Sequence, residues 1–145
     1  MFNKYNFSSG KDGLHILILG GVHGNEVAGT IAQRKIIRQL ESGKLKMKSG
    51  SVTFVPVVNE AAHRADTRFV DVNLNRVVRF HQNPKNNEER IANYLIKEID
   101  NCDFMLDLHS THCEGDTEFA FIDYNTAKNR ELLSLVPVKN ALAGW

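Results

Sequence analysis

The chain has 145 residues, 42% of them hydrophobic and 24% charged, and its 18 basic and 17 acidic side chains leave a formal net charge of +1. That length and apolar content suit one soluble domain with a sizeable core, and the balanced charge leaves no electrostatic footprint for nucleic acid. No apolar stretch reaches the roughly 20 residues that span a membrane, the first residues have no apolar leader core, and the two cysteines, Cys102 and Cys113, build no disulfide framework, so the expectation is a reduced cytoplasmic protein.

"LHILILGG" at 14–21 is a continuous apolar run closed by glycines, which predicts a strand buried on both faces. Between 25 and 40, Val27, Ile31, Ile36, Ile37 and Leu40 recur at roughly helical spacing, and Gly43 follows as a stop. "SVTFVPVV" at 51–58 reads as a second strand, with Pro56 hinting at an edge or a bulge. Residues 59–84 are polar and show little periodicity, and so long a connection inside a domain is usually functional. "NNEERIANYLIKEID" then predicts a helix. Asn86 or Asn87 can cap it, Glu88 and Glu89 suit its positive end, and Ile91, Leu95 and Ile99 share one face. "DFMLDLH" at 103–109 is a third strand, "TEFAFID" at 117–123 a fourth, and 126–135 a last helix. Strands alternating with helices predict a single α/β domain over 1–145.

Two of these strands end in ligand-type residues: the first in "GGVHGNE", with His23 and Glu26, the third in "DLHS", with His109. In open α/β sheets sites gather outside the carboxyl ends of strands. Gly20, Gly21 and Gly24 let the backbone turn sharply between strand and helix. Two His and one Glu are a known catalytic zinc set whose open position holds a water acidified to a pKa of about 7. A competing reading has His23 capping the helix and Glu26 meeting its dipole. Asp107 lies two residues before His109, so strand alternation aims both one way. It can orient a ligand or pair with an Arg. His15, His63 and His81 lack ligand-type neighbours at useful spacing. "HSTHC" offers His109, His112 and Cys113 as a structural cluster, but one without a fourth ligand nearby.

In the polar segment, Arg68, Asn73, Asn75 and Arg76 fall within nine residues. A planar guanidinium takes a carboxylate in two parallel hydrogen bonds, and beside a metal it can stabilise an oxyanion. Composition alone favours an ordinary solvated loop whose arginines pair with Asp66 and Asp71.

"GGVHGNE", "DVNLNR" and "DLHS", in this order and at these separations, resemble the aspartoacylase and succinylglutamate desuccinylase family, relatives of the zinc carboxypeptidases. The resemblance runs from 14 to about 123 and turns the reading of the loop towards substrate binding. It implies a mixed, mostly parallel sheet flanked by helices. It implies one zinc per chain, on His23, Glu26 and His109. It implies a small N-acyl amino acid as substrate, bound by Arg68, Asn75 and Arg76, with its amide bond hydrolysed by zinc-activated water. Arg68 or Arg76 would fix the carboxylate or polarise the carbonyl. The chain departs from the family in length and base. Members are much longer, and their general base is a Glu in a downstream segment resembling Gly-Ile-Glu-Val-Gly. After His109 this chain offers Glu114, Glu118 and Glu131, none in that context. Glu118, on the expected fourth strand, is the best substitute. The chain therefore reads as the N-terminal part of the family's catalytic domain, truncated, with a base drawn from Glu118, from a further segment or from a second copy of the chain. The alternative is a non-catalytic module that binds zinc and a carboxylate. A third reading is a structural domain whose His and Glu only cap helices.

Overall fold

A computed structural model describes residues 2–111, 115, 117–122 and 124–144. Along the chain run β1 (Tyr5–Ser8), β2 (His15–Gly20), α1 (Ala28–Glu41), β3 (Ser51–Val55), α2 (Glu60–Arg64), a 3-10 turn (Leu74–Arg76), α3 (Asn87–Asp100), β4 (Phe104–Leu108), β5 (Phe119–Ile122), α4 (Ala127–Leu133) and β6 (Asn140–Ala143). They fall into two compact units, 1–110 and 111–145.

In the first unit four strands lie in the order β1-β3-β2-β4. β2 pairs in parallel with β3 and with β4, while β1 pairs antiparallel with β3, giving the mixed, mostly parallel sheet that the resemblance implied. The chain leaves β2 through α1 to reach β3 on one side, then returns through α3 to β4 on the other. Right-handed crossovers put two such helices on opposite faces, and the core divides accordingly. Leu17, Leu19 and Val55 pack with Ile91, Ala92 and Leu95 of α3. Val52 and Phe54 pack with Ile37 of α1, and Ile16 and Ile18 lie against them. Successive residues of β2 thus serve opposite faces, which is why its sequence is continuously apolar. A fully buried Leu contributes about 1.5–3 kcal/mol. Packing of this kind on both faces of β2 holds its carboxyl end in place.

The caps follow the sequence where the sequence is explicit. Asn86 accepts from the Glu89 N–H at the start of α3, and Thr126 from the Asn129 N–H at the start of α4. Pro56 is a different matter. β3 lies between β1 and β2 and is no edge; its ladder ends at Val55, just before the residue that lacks an N–H. The Pro56 carbonyl instead accepts from the Thr30 hydroxyl of α1 at 2.6 Å. In the second unit, β5 forms over most of the expected fourth strand and pairs in parallel with β6, with α4 between them in the chain.

Candidate metal centre

The turn after β2 is built by backbone constraints. Gly21 has φ +57°, which a residue without Cβ adopts at no steric cost. At Gly24 a Cβ would collide with the main chain of Ala62 and His63 in α2. Hydrogen bonds hold this close approach: the Gly24 and Asn25 N–H groups donate to the carbonyls of Arg68 (3.2 Å) and Thr67 (3.1 Å), and His63 Nδ1 donates to the Gly24 carbonyl at 2.8 Å. α1 begins only at Ala28, with Val27 at its cap position and no side-chain cap bond. His23 therefore does not cap it.

His23 (2% exposed) and Glu26 (4%) are buried, and His109 keeps 36% of its side chain open. One ligand-type atom from each lies within 4.8 Å of the others. Glu26 is the hub. Its Oε1 stands 2.9 Å from His23 Nδ1 and accepts from Arg68 Nη1 at 2.6 Å. Its Oε2 stands 2.8 Å from His109 Nδ1 and accepts from the Ser110 N–H at 3.1 Å. Each histidine therefore turns Nδ1 inward, and each outer nitrogen meets an oxygen: His23 Nε2 meets Asn73 Oδ1 at 3.1 Å, His109 Nε2 meets Asp107 Oδ2 at 2.8 Å. Asp107 thus orients His109, one of its two sequence readings. Acceptors on the far nitrogen are what fix the tautomer and direction of metal-ligating imidazoles.

The electrostatics favour a cation. Asn73 Oδ1 also accepts from the Asn75 N–H at 3.0 Å, which assigns its oxygen to the His23 side. A cation on Nδ1 would leave the proton on Nε2, facing Asn73; without one, Nδ1–H has Glu26 Oε1 as its acceptor. Burial lowers the His23 pKa and keeps the ring neutral. Burial works to raise the Glu26 pKa, but His109 and the Ser110 N–H outweigh it and hold the carboxyl ionised. At His109 burial opposes protonation, yet Asp107 and Glu26 push its pKa up to about 9, so without a metal a proton occupies the inward nitrogen. A donor set of two imidazole nitrogens and a carboxylate, with orienting oxygens behind, fits zinc. It sits where β2 and β4 lie side by side while α1 and α3 cross on opposite faces, the topological switch point of the sheet.

Residues 12–140 match the model of the succinylglutamate desuccinylase/aspartoacylase catalytic domain. The chain belongs to this family. It is 31% identical over 128 residues to a succinylglutamate desuccinylase of Pseudomonas paraeruginosa, covering 83% of this chain and 38% of that protein. It is 34% identical over 106 residues to a probable aspartoacylase of Prochlorococcus marinus, covering 66% and 34%. Among solved structures it is similar to an aspartoacylase family protein from Mesorhizobium loti, with a TM-score of 0.78 and 27% identity over 98% of this chain and 47% of that one. The chain thus spans well under half the length of the curated relatives it matches.

Within the succinylglutamate desuccinylase/aspartoacylase fold the other expected residues are placed as follows. Arg68, 48% exposed, reaches the Glu26 carboxylate. Asn75 and Arg76 lie exposed on the 3-10 turn, whose cap is Asn73. Asp71, expected to pair with an arginine, instead accepts from the Asn87 N–H at 2.9 Å. Glu118 is exposed, just before β5 in the second unit. Glu114, His112 and Cys113 lie outside the described residues, and with them the "HSTHC" grouping. His15 and His81 are engaged by Thr53 and by the Val77 carbonyl, away from the three ligands. Sequence reasoning missed the role of Asn73 as the acceptor for His23 and that of the Ser110 N–H. Nothing in local spacing ties position 73 to position 23.

Proposed function

We propose that this chain provides the zinc site and the carboxylate-recognising loop of a hydrolase that cleaves the amide bond of an N-acyl amino acid. The observation that carries this reading is the convergence of His23, Glu26 and His109 within 4.8 Å, with both imidazoles held from behind. Zinc bound there supplies a Lewis acid that polarises a carbonyl and acidifies water. His23, Glu26 and His109 hold it, one ion per chain, and Asn73 and Asp107 keep the imidazoles directed. Arg68, already on the Glu26 oxygen, is placed to share a carbonyl oxygen that gains charge during attack. Asn75 and Arg76 bind the substrate's carboxylate from the exposed 3-10 turn.

A base must still take a proton from water. Both carboxylates in the network, Glu26 and Asp107, are engaged by His109. Glu118 is our substitute base; a further segment or a second copy of the chain is the other source. The same engagement supports a second reading, a non-catalytic zinc- and carboxylate-binding module. No helix among the described residues is long and apolar enough to cross a membrane, and we place the protein in the cytoplasm.

The test is elemental analysis of purified wild type and of His109→Ala. We expect about one zinc per wild-type chain and little in the variant, with binding weaker at acid pH because ligating His must be neutral. Equal zinc in both removes His109 from the set. Turnover of N-succinylglutamate or N-acetylaspartate then separates the hydrolase from the binding module.

A further inference from the structure

The first turn of α3 carries two glutamates with different fates. Glu89 is the ordinary one: its carboxylate accepts from the Lys85 N–H near the helix start. Glu88 is fully buried. Its Oε1 accepts from Asn59 Nδ2 and from the Val70 N–H, both at 2.8 Å, and from Asn87 Nδ2 at 3.3 Å. Its Oε2 accepts from the N–H groups of Asp71 (3.1 Å) and Val72 (3.3 Å). Burial alone would raise its pKa; these donors outweigh burial and hold it ionised.

This is more than the helix needs, because Asn86 already caps α3. The bonds run instead to the segment 70–72, and Asp71 returns one to the Asn87 N–H. The next residue is Asn73, whose oxygen directs His23, and Asn75 and Arg76 follow. On the other side Asn59, which donates to Glu88, also caps α2 and gives its own N–H to the Gly21 carbonyl at 2.9 Å. Glu88 thus links the turn after β2, through Asn59, to the main chain of the loop.

We propose that Glu88 is a positioning residue for this centre: its buried carboxylate fixes the main chain of residues 70–72, and so sets Asn73 against His23 and presents Asn75 and Arg76. The inference rests on the hydrolase reading for its consequence, but its geometry can be tested without it. Gln at this position keeps the shape, yet whichever way its amide turns, an NH2 faces N–H donors.

The experiment uses the full 145-residue chain as wild type, Glu88→Gln, Asn73→Ala, the double variant, and Asn86→Ala as a helix-cap control. Nitrogen-15 spectra read the Val70–Val72 amides and Nε2 of His23; calorimetry reads zinc affinity. In Glu88→Gln we expect the three amides to lose their strong hydrogen-bond shifts and the His23 Nε2 signal to move as its contact with Asn73 loosens. Zinc affinity should fall about 10–100-fold, the usual cost of losing an outer partner. Asn73→Ala should cost a similar factor, and the double variant no more than either single one, because Glu88 acts through Asn73. Asn86→Ala should lower the melting temperature without changing His23 or zinc affinity. Should Glu88→Gln not fold, Glu88→Asp, which keeps the charge on a shorter arm, is expected to show a smaller loss of the same kind. An unchanged His23 Nε2 signal in a folded Glu88 variant overturns the proposal, as do losses that multiply in the double variant. If wild type binds no zinc, the hydrolase reading fails, while the His23 and amide signals still decide the role of Glu88.

Discussion

An amide oxygen at 3.1 Å backs the outer nitrogen of His23, and a carboxylate at 2.8 Å backs that of His109. Asp107→Asn keeps an acceptor but removes the charge, so we expect zinc affinity to drop about tenfold or more, read by competition with a chromogenic chelator. Arg76→Lys probes the other partner. Lys keeps the charge and loses the two-pronged geometry, so binding of N-succinylglutamate should weaken with little change in melting temperature. Unchanged affinity with a lower melting temperature would make Arg76 structural. Glu88 sets a pH dependence. Its folded pKa lies below the ordinary 4.5, so its contribution is present above that value and is lost as pH falls through the lower, folded one. Urea unfolding between about pH 5 and pH 3 should show wild type losing more stability than Glu88→Gln.

The turn between β2 and α1 exists because Gly24 has no side chain. Gly24→Ala would drive a methyl into the main chain of α2. Overpacking of this kind costs about 1–3 kcal/mol or more, and because His23 and Glu26 flank the position, zinc affinity should fall together with the melting temperature. The main strands and helices were legible from the sequence: a two-sided apolar run for β2, and Asn86 ahead of Ile91 and Leu95 for α3; the Asp-x-His alternation left Asp107 open between orienting His109 and pairing with an arginine. Elements with little apolar content were not. β1 has four mostly exposed residues and forms by pairing with β3. α2 and the 3-10 turn are anchored by single buried residues, Ala62 and Leu74, which give no period to detect. Nor could spacing distinguish Glu88 from Glu89, since both suit a helix start; what separates them is a loop that begins 18 residues earlier.

At the scale of the molecule, the three candidate ligands and the oxygens behind them all belong to the first unit, and Glu118 to the second. We expect the 145-residue chain, loaded with zinc, to turn over N-acyl amino acids very slowly or not at all, since loss of general acid–base help typically costs about 10²–10⁴-fold. An assay beside Glu118→Gln checks this. Robust turnover in wild type refutes the expectation, and its loss in the variant names Glu118 as base. The spacing of the ligands has a separate consequence. Glu26 and His109 are 83 residues apart and meet only when β4 has joined β2. A chain whose last parallel strand has left the sheet cannot present three donors at once, so if the centre takes zinc, its occupancy and closure of the sheet would form one linked equilibrium. Zinc at 100 times its dissociation constant would add about 2.7 kcal/mol to the folded side, and a chelator would remove that increment.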